Sequence, residues 1–100
     1  MSTTLEKLQV LQEAYDRQSD LNLLLDKLLS ATLSQNRLLL SRYDRDLENF
    51  EKRFGMTSTD FYARFEAGEL GDLMDYFEWA GLWELHQRLQ EKIRRLEQAL

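Results

Sequence analysis

A chain of 100 residues has room for one domain with a modest core and not for two. Hydrophobic residues at 43% and charged residues at 31% suit a folded soluble protein and exclude a disordered one, while the absence of Cys excludes disulfides, thiolate zinc sites and cysteine nucleophiles. The net charge of −5 is concentrated: residues 57–84 carry seven acids against one base, Arg64, a distribution that disfavours nucleic acid and suits a basic partner.

Pro is absent, Gly occurs four times, and Leu, Glu, Gln, Arg and Lys dominate, so long helices and an all-α fold are expected. The N-terminus lacks the charged-then-apolar layout of a signal peptide. With no Cys, the composition fits a reducing, cytoplasmic setting.

The first helical region is expected from about Thr4 to Phe54. Steps of three and four residues trace one face through Leu8, Leu11, Tyr15, Gln18, Asn22, Leu25, Leu29, Thr32, Asn36, Leu39, Tyr43, Leu47, Phe50 and Phe54. A straight helix of that length would run roughly 75 Å, far beyond a compact domain. The expectation is therefore a break near Ser30–Asn36 or Gln18–Asp20, or an elongated molecule that pairs with another chain. The stretch from Leu21 to Leu40 has ten Leu, but Asp26, Lys27 and Arg37 within it argue against a membrane span. Its leucines nearly encircle the helix, and a helix apolar all round must be covered on several sides. Leu24, Leu25, Leu29, Leu39 and Leu40 are accordingly candidates for an oligomer interface. A closed three-helix bundle is the alternative.

This region ends where Lys52 and Arg53 complement the helix dipole and Gly55 can adopt the left-handed terminator. Thr57 then predicts an N-cap, Asp60 the third residue of a capping box, and Met56 with Phe61 a hydrophobic staple. The second helix runs from Ser58 to about Ala67 and stops at Gly68. After the turn Gly68-Glu69-Leu70-Gly71, Asp72 predicts the N-cap of a last helix reaching the C-terminus, with Asp75 in its first turn. Trp79, Leu82, His86, Leu89, Ile93, Leu96 and Leu100 give that helix a heptad-like coiled-coil seam. Ten of the eleven aromatic residues lie between Tyr43 and Trp83. The single domain thus divides into a Leu-rich tail, residues 1–42, and an aromatic-core head, residues 43–100. Phe50, Phe54, Phe61, Phe65, Phe77, Trp79 and Trp83 are the predicted core of the head.

Candidate chemistry is sparse. His86, the one imidazole, falls on the seam and predicts a core or interface histidine, with no nucleophile at helical spacing from it. Glu69, Asp72, Asp75 and Glu78 recur every three residues but do not follow a calcium loop. They predict capping, dipole compensation and an acidic docking surface, so no metal, no cofactor and no catalytic residue is expected. The order of elements over residues 57–85 resembles a helix–turn–helix, yet the would-be recognition helix opens with Asp75 and Glu78, where phosphate contacts need Lys or Arg. Direct nucleic-acid binding is not expected.

The stretch FEKRFGMTSTDFYARFEAGELGDLMDYFEW, residues 50–79, resembles a pattern in small acidic proteins of bacteria and archaea encoded beside a small toxin. Gly68, Glu69, Leu70, Gly71, Asp72, Asp75, Phe77, Glu78 and Trp79 carry the resemblance, which covers about a third of the chain and leaves the Leu-rich tail outside. It implies an antitoxin-like, non-enzymatic protein that neutralises a small basic partner. The sequence therefore predicts a helical hairpin or three-helix bundle with a long first, a short capped middle and a long last helix. Glu69, Asp75 and Glu78 are the candidate partner-binding residues. A homo-oligomeric coiled-coil adapter or scaffold is the alternative function.

Overall fold

The computed structural model describes residues 2–15 and 17–100. It is all-α, with four helices among the described residues: α1 (Thr4–Ala14), α2 (Gln18–Phe54), α3 (Ser58–Glu66) and α4 (Met74–Ala99). The molecule is elongated, with a radius of gyration of 19.7 Å and extents of 60 × 26 × 18 Å, against about 13 Å for the radius of a compact domain of this length. Among the described residues, no helix is long and apolar enough to cross a membrane.

The long first region is two helices. The Thr3 hydroxyl accepts from the Glu6 N–H and starts α1, whereas Tyr15 and Arg17 are extended and separate it from α2. The break falls just before Gln18, and α2 passes through Ser30–Asn36 without interruption. Thr32 there and Ser41 farther on bond back into the helix. The Thr32 hydroxyl donates to the Leu28 carbonyl at 2.9 Å, and the Ser41 hydroxyl to that of Arg37 at 3.2 Å.

α2 and α4 form an antiparallel hairpin. Near its open end Leu33 packs with Leu89 and Ile93, flanked by Leu39, Leu40, Tyr43 and Leu96. Near its closed end Leu47 packs with Phe61, Trp79 and Ala80. The predicted seam holds toward the closed end, where Leu39, Tyr43, Leu47, Phe50 and Phe54 all pack inward; farther out the buried positions shift to Leu33 and Leu21, and the seam's Thr32 and Asn22 are exposed. A helix with leucines on every side offers several candidate seams, and contact with α4 selects one.

The junction after α2 follows local rules. Gly55 has φ 68°, a conformation a β-carbon disfavours, and its N–H bonds the Glu51 carbonyl at 2.8 Å. Thr57 accepts from the Asp60 N–H at 3.1 Å, and Met56 packs against the cluster that holds Phe61. Glu51, one turn before the end of α2, accepts from the Ser58 N–H at 2.8 Å. A first-turn donor of α3 is thus satisfied from the preceding helix.

The start of α4 differs from the sequence expectation. Its N-cap position is Leu73, which has no side-chain oxygen to cap with, and Asp72 stands one residue outside. The beginning of α4 is held by tertiary ties instead, from Asp75 to Arg53 and from Trp79 to Ser58.

Candidate functional site

The head is built on a ring stack. The Phe61 and Trp79 rings lie parallel, with centroids 3.8 Å apart and planes 5° apart, and both side chains are fully buried. Phe50 and Phe54 stack on Trp79 from α2, and Tyr76 closes against Phe54 and Phe61. Burying an indole strands its N–H unless an acceptor is supplied. The Trp79 Nε1–H donates at 2.9 Å to the hydroxyl of Ser58, which is itself buried. Phe77 departs from the predicted core: it meets only the edge of Phe65 and is 52% exposed. The α4 surface that carries Trp79 inward necessarily turns Phe77, two residues earlier, outward.

His86 is buried on the inner face of α4. Its Nε2 lies 2.7 Å from Asp44 Oδ1, its Nδ1 lies 3.1 Å from Gln87 Oε1, and its ring stacks on Trp83. Both ring nitrogens are engaged within the chain. The imidazole joins the middle of the hairpin across 42 residues of sequence.

The acidic run does not converge. Among the described residues, no group of three or more His, Cys, Asp or Glu side chains is arranged to hold a metal ion. Asp75 is tied to Arg53 at 2.7 Å, and the Arg53 guanidinium also lies over the Phe50 and Phe54 rings at 5.9 and 5.2 Å. One arginine thereby covers the aromatic core and takes up one of the three candidate partner-binding carboxylates. Glu69 is exposed on the turn before α4. Glu78 is also exposed and borders an open groove with Asp46, Asn49 and Leu82. Glu66 and Glu84 flank the Tyr62 hydroxyl, which donates to Glu84 at 2.7 Å; the two carboxylates push the phenol well above its ordinary range. Beside these acids stand exposed Leu73, Met74 and Phe77. At the far end of α4, Glu91 pairs with Arg94, which holds the Glu91 carboxyl below its ordinary value.

The candidate interface leucines divide by position. Leu39 and Leu40 pack against the Leu33–Leu89–Ile93 cluster, and Leu29 lines a groove with Leu96 and Ala99 at the open end of the hairpin. Leu24 and Leu25 are half-buried. The leucines most open to solvent on α2 are Leu23, Leu28 and Leu38, and α1 buries none of its own residues. Ser58, Asp44 and Glu51 were not legible in the sequence as partners of Trp79, His86 and the α3 terminus, since only the folded register brings them together.

The fold defines an all-α protein among the described residues. No family model, no curated protein and no solved structure matches the chain.

Proposed function

We propose that this chain is a non-enzymatic protein-binding module whose acidic head neutralises a small basic protein, as an antitoxin does, in the cytoplasm. The observation that carries this reading is the surface of the head. Exposed Glu69 and Glu78 stand beside exposed Leu73, Met74 and Phe77 on a scaffold fixed by aromatic packing. Apolar residues rimmed by like charges suit a partner of opposite charge that also brings apolar side chains. The open leucines of α2 and the exposed apolar residues of α1 support self-association of the tail in the same molecule. A homo-oligomeric adapter acting through the tail alone is the second reading, favoured by those same leucines.

Affinity capture from the native host with mass spectrometry tests the first reading, which expects one small basic partner at fixed stoichiometry. Self-association without such a partner supports the adapter. The captured partner then allows a kinetic test with the variant Glu69→Gln/Glu78→Gln. Complementary charge raises on-rates above the neutral range of about 10⁵–10⁶ M⁻¹s⁻¹, with a Debye length of about 8 Å at physiological salt. The variant should associate more slowly at low salt and lose most of its salt dependence. An unchanged rate and salt dependence would reduce these acids to solubilising charge. Asp75 is left out because Asp75→Asn would also break the tie to Arg53.

A further inference from the structure

α4 contains a glycine that nothing within the chain requires. Gly81 lies inside the helix, outside the left-handed region that Gly55 and Gly68 adopt, and a β-carbon placed on it would meet nothing within 4 Å. Glycine in a helix interior is disfavoured against alanine by its backbone entropy, and here neither conformation nor internal packing compensates. Its neighbours on the helix surface are the residues three and four positions away. They are Glu78 and Glu84 on one spacing, Phe77 and Leu85 on the other, with Met74 one turn beyond Phe77. Met74, Phe77 and Leu85 are 68%, 52% and 46% exposed. The outer face of α4 is therefore an apolar stripe with a notch at its centre and a carboxylate within one turn of the notch on each side. From Met74 to Leu85 it runs about 17 Å, enough for three turns of a second helix.

The charge decides the occupant. A second copy of this chain centred on the same notch would set Glu78 and Glu84 against their own counterparts, and like-charge contacts oppose docking. We propose that this face seats a basic amphipathic helix of the partner protein. A bulky apolar side chain would rest on Gly81 between Phe77 and Leu85, while lysines or arginines would meet Glu78 and Glu84. Helix-in-groove recognition of this kind is set by apolar anchors at helical spacing. The inference rests on the proposed function and deepens it by naming the surface and the form of the partner.

The test uses the full chain and three synthetic peptides. One has Leu and Lys at amphipathic helical spacing, one has the same pattern with Glu for Lys, and one has the Leu/Lys composition in scrambled order. Calorimetry gives affinity, and amide chemical shifts locate the contact. The amphipathic Leu/Lys peptide should bind and shift residues 74–85. The Glu peptide should not bind, and the scrambled peptide should bind at least tenfold more weakly. Gly81→Gln fills the notch with a better helix former, so it should weaken binding at least tenfold without lowering the thermal midpoint. Equal binding of the scrambled peptide, or binding untouched by Gly81→Gln, overturns the inference and leaves the proposed function standing. No binding of any basic peptide overturns both. A change in oligomer size on Gly81→Gln, with peptide binding unchanged, assigns the face to a second copy and also overturns it.

Discussion

Replacing Phe61 by Ala is the most direct test of what holds the head. Phe61 is fully buried, lies flat on Trp79 at 3.8 Å, and also meets Phe65 and Tyr76. Truncating a buried Phe costs about 3–5 kcal/mol through lost transfer energy and the cavity left behind. Stacked aromatic pairs add about 0.5–1.5 kcal/mol beyond area, which places Phe61→Ala in the upper part of that range. Domains of this kind have total stabilities of about 5–15 kcal/mol, so the substitution removes a large share. At about 4–8 °C per kcal/mol, the thermal midpoint should fall by at least about 12 °C, read by far-UV circular dichroism. Phe61→Leu keeps apolar volume and loses only the ring contact, so its drop should be much smaller. Ser58→Ala removes no apolar contact but strands the buried Trp79 N–H, at about 1–3 kcal/mol. A midpoint that moves less than about 5 °C in Phe61→Ala, or not at all in Ser58→Ala, would refute the account of the ring stack and its buried hydrogen bond.

Two further outcomes are expected. Sedimentation equilibrium at micromolar concentration should show the wild type as a dimer or larger, and Leu28→Lys/Leu38→Lys, at positions 58% and 59% exposed, should return it to a monomer of unchanged helicity; a monomeric wild type would remove the case for tail association. The Tyr62 hydroxyl should ionise later than an ordinary phenol of pKa about 10, because Glu66 and Glu84 favour its neutral form. A raised folded pKa means that the contact's contribution is intact below pH about 10 and is lost as pH climbs through the higher folded value. Titrated by tyrosinate absorbance, Tyr62→Phe should delete the late component and Glu84→Gln should lower it; a difference that titrates at the ordinary value would contradict the Tyr62–Glu84 bond.

The sequence by itself determined what depends on residues within about two turns of one another. The helical composition, the Gly55 terminator, the Thr57 cap, the Met56–Phe61 staple and the inner face of α4 through Trp79, His86, Leu89 and Ile93 all follow from spacings of at most seven residues, and the structure carries each of them. Tertiary structure decided what those spacings leave degenerate. Leucines all round α2 permit several seams; the fold kept Leu47 of the predicted seam but buried Leu33 and Leu21 off it, while leaving Leu23, Leu28 and Leu38 in solvent. The first region broke before Gln18, where Tyr15 and Arg17 are extended, and α2 runs unbroken through Ser30–Asn36. The bonds Trp79–Ser58, Asp75–Arg53 and His86–Asp44 span 21, 22 and 42 residues. No local propensity encodes them; they exist because the register of α4 on α2 brings the partners together, and the same register turns Phe77 and Gly81 outward, where the proposed contact with another chain lies.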